Sequence, residues 1–218
     1  MSFLSRVILR YGALVMVVNA LMGEALAAPV RILALGDSLT AGFGLPAESA
    51  FPARLEAALR AEGRDVRLIN AGVSGDTTQG GLARLTWALA EKPDLAILEL
   101  GANDGLRGLD PKLTRANLDA ILKRFERERI GVLFTGMLAP PNYGPAYEAE
   151  FKAVFSSLAR EHGLLFYPFF LDGVTGNPRL TLPDGLHPSA QGVDEIVRRI
   201  LPSVRQLLDR HAAQGGAR

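Results

Sequence analysis

From residue 31 onward, short apolar runs alternate with longer amphipathic stretches. The runs 31–35, 66–70, 95–100, 132–137 and, more weakly patterned, 164–166 are rich in Val, Ile and Leu and nearly continuous in hydrophobicity. That pattern suits strands buried on both faces of a sheet. Between the first two, Phe51, Leu55, Ala58 and Leu59 share one face of a helical stretch that stops at Gly63. Asp110-Pro111 opens another helix, with Asp as N-cap, Pro at the first helical position and Leu118, Ile121, Leu122 and Phe125 on its apolar side. Helical patterns over 79–90, 147–162 and 189–208 complete the set, the last kinked or split at Pro202. Alternating strands and helices predict an α/β protein, a three-layer α/β/α sandwich on a five-stranded, mainly parallel sheet. Nothing in the chain reads as a repeat or linker, so residues 28–218 are expected to form one domain.

The first 27 residues follow a different pattern. Arg6 and Arg10 precede an apolar stretch from about Tyr11 to Met22, which leads to Ala25-Leu26-Ala27. This predicts a secretory signal spanning 1–27, cleaved after Ala27, and a periplasmic or secreted product. A membrane anchor is disfavoured because Asn19 and Glu24 interrupt the run. The chain has 24 basic and 23 acidic residues; Arg6, Arg10 and Glu24 fall within the signal, which leaves 22 of each. A balanced charge gives no reason to expect nucleic acid as a partner. The absence of cysteine excludes disulfides, thiolate metal sites, a cysteine nucleophile and lipidation through cysteine.

Four segments carry candidate chemistry: Gly36-Asp37-Ser38-Leu39, Ser74-Gly75-Asp76, Gly101-Ala102-Asn103-Asp104 and Asp184-Gly185-Leu186-His187. Ser38, Gly75 and Asn103 follow the first three predicted strands by three, five and three residues, on the carboxyl edge where parallel sheets bind ligands. Ser38 alone would read as a serine capping a helix in a tight turn. His187, with Asp184 three residues upstream, makes it a candidate nucleophile: the carboxylate can keep one ring nitrogen protonated and turn the other toward the serine as a base. Asn103 offers a side-chain amide to a developing oxyanion, or ties down a turn. Gly75 offers a backbone N–H, or supplies a positive φ, and the N–H of Ser38 would be the third donor. Asp37, Asp76 and Asp104 read as caps and braces. His162, before Gly163, reads as structural, and His211 falls in a polar tail expected to be disordered. Glu99, inside an apolar strand, must find a donor and has no evident role. A base that must be neutral predicts activity falling as pH drops through the imidazole range, about 6.5 when unperturbed.

Longer runs extend these segments: Gly80-Gly81-Leu82-Ala83-Arg84-Leu85, Glu99 through Gly108, Pro140-Pro141-Asn142-Tyr143-Gly144 and Asp184 through Pro188. With them, nearly the whole chain after residue 27 resembles the SGNH, or GDSL, hydrolases, and more closely the bacterial thioesterase I/lysophospholipase L1 group often labelled arylesterases. The resemblance implies a flavodoxin-like fold, a Ser38-His187-Asp184 triad with Gly75 and Asn103 completing the oxyanion site, and no metal or organic cofactor. It also implies hydrolysis of aryl esters, acyl-CoA thioesters or lysophospholipids by a monomer. One departure is Ala102, where close relatives carry a second glycine. The Gly-x-Ser-x-Gly elbow of α/β-hydrolases is absent around Ser38. Leu106, Ala139, Pro140, Pro141 and Tyr143, on two predicted loops at the active edge, are candidates to wall an acyl or aryl groove. Carbohydrate acetyl-ester hydrolysis is the alternative activity, and a non-catalytic binding protein on the same fold the alternative class.

Overall fold

The computed structural model describes residues 28–215; the expected signal lies outside them. Strands β1 (Val30–Gly36), β2 (Val66–Gly72), β3 (Leu95–Leu98), β4 (Gly131–Thr135) and β5 (Leu165–Tyr167) form one sheet in the order β2-β1-β3-β4-β5, with every pair parallel. β3 is the central strand and β1 lies beside it; Ile32, Leu33 and Leu35 of β1 and Leu95 to Leu98 of β3 are buried. Such strands need helices on both faces.

Among the described residues, eight α-helices supply them: α1 (Ser38–Ala41), α2 (Phe51–Ala61), α3 (Thr78–Ala83), α4 (Leu85–Leu89), α5 (Ala102–Leu106), α6 (Pro111–Arg127), α7 (Pro145–Glu161) and α8 (Ala190–Gly215). α2 packs against α8 on one side, while α6 packs against α7 and α3 on the other. The predicted apolar face of α2 is the buried one, through Phe51, Leu55 and Leu59. α6 starts as its sequence indicates: the Asp110 side chain accepts from Lys112 N at 2.8 Å, and Pro111 stands in the first turn. Among the described residues, no helix is long and apolar enough to cross a membrane.

Three expectations change. The helix expected over 79–90 is two, α3 and α4, because Arg84 leaves the helical region (φ −97°, ψ 4°) while its side chain reaches Asp76 and the Gly36 carbonyl. α8 continues past Pro202, neither ending nor splitting there. Pro202 lies on the exposed side, so the carbonyl it leaves unbonded one turn earlier can turn to water. His211 is therefore helical and not in a disordered tail, since Val204, Leu207 and Leu208 hold the last turns of α8 on the core.

After β1 the chain adds β2 on one side and then β3, β4 and β5 on the other, so the direction of winding switches between β1 and β3. Ligands bind outside the carboxyl ends of strands at such a switch point. Ser38 follows β1 and Asn103 follows β3, so the two candidate segments flank it.

Candidate active site

Ser38 is the first residue of α1. Asp37 caps that helix, its Oδ1 accepting from Leu39 N at 3.0 Å, and Gly42 ends it in the left-handed region at φ 83°. A one-turn helix held at both ends presents the Ser38 hydroxyl while leaving the residue only 9% exposed.

His187 comes from the other end of the chain on a tight loop before α8. Leu182 N donates to the His187 carbonyl at 2.7 Å, and Thr181 bridges Pro188. Inside this loop Asp184 Oδ1 accepts from Leu186 N and His187 N at 2.9 and 3.0 Å, and its Oδ2 lies 2.7 Å from His187 Nδ1. These three bonds, the two backbone ones foremost, pull the Asp184 carboxyl down to about 2. A carboxylate at that distance requires the proton on Nδ1, so Nε2 is the bare nitrogen, and it lies 2.9 Å from Ser38 Oγ. The Phe43 ring packs on the imidazole with centroids 4.4 Å apart and planes tilted by 33°.

Gly75 and Asn103 are the other two candidate donors. Gly75 adopts φ 86°, which a residue with a side chain would adopt only under strain. Its carbonyl accepts from Arg107 Nη2 at 2.9 Å, and the next residue, Asp76, is paired with Arg84 at 2.6 Å. The N–H groups of Ser38 and Gly75 have no protein acceptor among the described residues. Asn103 differs: its Nδ2 donates to the Asp76 carbonyl at 2.9 Å and to Asp37 Oδ2 at 3.2 Å. In the segment that carries it, the positive φ of 117° falls on Gly101, and Ala102 begins α5 in ordinary helical backbone. Alanine is thus accommodated at position 102 without strain. Asp104 braces the neighbourhood by accepting from Thr78 N and Oγ1 at 2.9 and 2.6 Å.

Ser38 and His187 open onto a cavity of about 380 Å³ with a mainly apolar wall, a size suited to a small ligand. Leu106, Ala139, Pro140 and Pro141 line it. Tyr143 stands outside the wall: its hydroxyl donates to the Leu106 carbonyl at 3.0 Å and its ring packs on Tyr147. The sequence reading missed Leu138, Phe169, Leu171 and Leu186, which also line it, and Phe43. Phe169 and Leu171 belong to an apolar run just beyond β5, and that position was the available signal. Among the described residues, no group of three or more His, Cys, Asp or Glu side chains is placed to hold a metal ion.

A hydroxyl facing a bare imidazole nitrogen with a carboxylate behind the imidazole is an arrangement suited to acyl transfer. Comparison with known proteins points the same way. The chain is 40% identical over 183 residues to esterase TesA of Pseudomonas aeruginosa, covering 84% of this chain and 91% of that protein. It is 42% identical over 162 residues to an arylesterase of Vibrio mimicus, covering 74% and 81% of the two chains. Among solved structures, AlinE4, an SGNH-hydrolase family esterase, superposes with a TM-score of 0.71 at 46% identity, covering 84% of this chain and 99% of its own. The sequence profile of the GDSL-like lipase/acylhydrolases matches residues 34–194, and with that match the chain belongs to the GDSL-like lipase/acylhydrolase family.

Proposed function

We propose that this protein is a serine hydrolase that cleaves carboxylic esters or thioesters through an acyl-enzyme. The observation that carries the reading is the 2.9 Å approach of His187 Nε2 to Ser38 Oγ beside an apolar cavity. His187 takes the Ser38 proton as Oγ attacks the carbonyl carbon, then returns it to the leaving alcohol or thiol. A water activated by the same nitrogen releases the acid. Asp184 keeps Nδ1 protonated and stabilises the imidazolium that forms at each step.

The N–H groups of Ser38 and Gly75 receive the oxyanion directly. Asn103 joins them by giving up its longer bond, the one to Asp37, since the Asp76 carbonyl alone suffices to hold its amide. Hydrogen bonds in a site without substrate commonly rearrange in this way when the transition state forms. Each such donor is worth on the order of 10²- to 10³-fold in turnover.

The acyl group occupies the apolar cavity. Acetyl esters of sugars, the alternative read from the sequence, would leave most of it empty. In this reading residues 1–27 are a signal removed after Ala27, and the enzyme acts as a monomer in the periplasm or outside the cell. The test is a series of p-nitrophenyl esters. kcat/KM is expected to rise at least tenfold from acetate to a medium chain, since each buried methylene contributes about 0.8 kcal/mol and two already exceed the roughly 1.4 kcal/mol of a tenfold change. A maximum at acetate would contradict the assignment of the cavity.

A further inference from the structure

The acyl-transfer reading leaves one buried acid without a task. Glu99 lies just beyond β3, is 1% exposed, and sends its carboxyl across to the turn that carries Ser38. Its Oε2 accepts from the Asp37 N–H at 3.3 Å and from the Thr40 hydroxyl at 2.8 Å, while Oε1 has no partner. The turn is built around this contact. A Cβ at Gly36 would come within 2.6 Å of Glu99 Oε2 and 2.1 Å of Thr40 Oγ1, so the residue there must lack one. Glu99 therefore holds residues on both sides of Ser38. The Asp37 side chain, fixed in turn, accepts from Leu39 N and from the Asn103 amide.

We propose that Glu99 is a positioning residue for the acyl-transfer site: through Asp37 and Thr40 it sets the Ser38 turn. This rests on the function proposed above. Two carboxyls buried side by side do not both ionise. Asp37 accepts a backbone N–H and an amide, whereas Glu99 has one long N–H bond, one hydroxyl and a bare oxygen. The charge accordingly resides on Asp37 and the proton on Glu99, because an unmatched oxygen costs far less in an acid than in a carboxylate. Burial first, and then the Asp37 charge, push Glu99 well above the ordinary carboxyl range. Asp37, raised by burial but held down by Leu39 and Asn103, comes to about 6. The other ionisable groups around the pair are Asp104 of α5, His187 across the cleft, and Arg84, whose guanidinium is on the Gly36 carbonyl and paired with Asp76. An uncharged Glu99 can anchor the turn without adding a second negative charge beside the place where an oxyanion forms.

The test combines infrared spectroscopy in D2O with steady-state kinetics on a p-nitrophenyl ester. Wild type at pH 7 is expected to show a carboxylic-acid C=O band that disappears in Glu99→Gln. Glu99→Ala should lower kcat on the order of 10- to 100-fold with KM within about twofold, the size of effect that a small misplacement of reacting groups produces. Glu99→Gln, neutral at every pH and of the same shape, should restore kcat to within about threefold of wild type. A wild type without the acid band, a folded Gln variant as impaired as the Ala variant, or a folded Ala variant with wild-type kcat would each overturn the proposal. If the Ala variant does not fold, the band and the Gln variant decide. A wild type inactive on every ester would instead defeat the function proposed above, and the band, which needs no turnover, would still report the state of Glu99.

Discussion

Two histidine–aspartate pairs stand at opposite ends of this molecule. His162 Nε2 lies 2.9 Å from Asp119 Oδ1, and His187 Nδ1 lies 2.7 Å from Asp184 Oδ2. Both imidazoles border a cavity, of about 220 and 380 Å³ respectively. What differs is the rest of the surroundings. Asp119, on α6, is shared with Lys123 at 2.6 Å, and the cavity beside His162 is lined by no serine, threonine, tyrosine or lysine. Asp184 belongs to the same short loop as His187, serves no cation besides the imidazole among the described residues, and leaves Nε2 turned toward Ser38. A carboxylate–imidazole pair is therefore ordinary architecture. A hydroxyl on the second nitrogen and an apolar cavity beside it make the pair chemically useful.

Substitutions can break this comparison, and the largest effect belongs to the imidazoles. His187→Ala is expected to lower ester kcat by about 10⁴- to 10⁶-fold, as loss of a triad histidine does, while His162→Ala leaves kcat within twofold. Equal losses in steady-state assays would erase the distinction. At the carboxylates, Asp184→Asn should cost about 10²- to 10⁴-fold in kcat by favouring the wrong tautomer. Asp119→Asn should leave kcat unchanged and cost under about 1 kcal/mol in urea unfolding, the range of a partly exposed ion pair.

Smaller effects come from charge and stacking. Asp184, drawn down to about 2, binds its proton less tightly in the folded chain. Its contribution is therefore complete above the ordinary value of 3.8 and is lost as pH falls toward 2. Asp37, raised to about 6, works in the opposite sense. The fold takes up its proton more readily than the unfolded chain, so stability falls as pH rises from 3.8 to about 6. Urea midpoints across this range should fall less for Asp37→Asn than for wild type. Phe43→Leu, which removes the ring packed on His187, should lower kcat about two- to fivefold, the worth of an exposed cation–π contact once the imidazolium forms.

Much of this site was legible in the sequence because its parts are local. Asp184 and His187 lie within four residues, and the Ser38 turn carries its own cap and glycine, so hydrophobic pattern and motif located both. The strands were legible for the same reason: residues 32–35 and 95–98 are apolar on both faces and can only be interior. Contacts between distant segments were not legible. Nothing near Phe43 announces that its ring meets His187, a contact made only when the 184–188 loop docks on the Ser38 turn, and nothing near Glu99 announces that it meets Thr40 and Asp37, a contact made only once β1 and β3 lie side by side. Tyr143 illustrates the converse: its loop was placed at the correct edge, but its hydroxyl found the Leu106 carbonyl and turned the ring away from the cavity. The continuation of α8 beyond Pro202 depended on which side of the helix faces water, which packing decides.

In the proposed mechanism Ser38 is a nucleophile activated by His187. Fluorophosphonate labelling of the purified protein, followed by peptide mass analysis, tests it without choosing a substrate. The expected result is a single adduct on Ser38, formed at the wild-type rate in His162→Ala and at least 10²-fold more slowly in His187→Ala, in line with the loss of a general base. No adduct on Ser38, or labelling as fast without His187 as with it, would contradict the account.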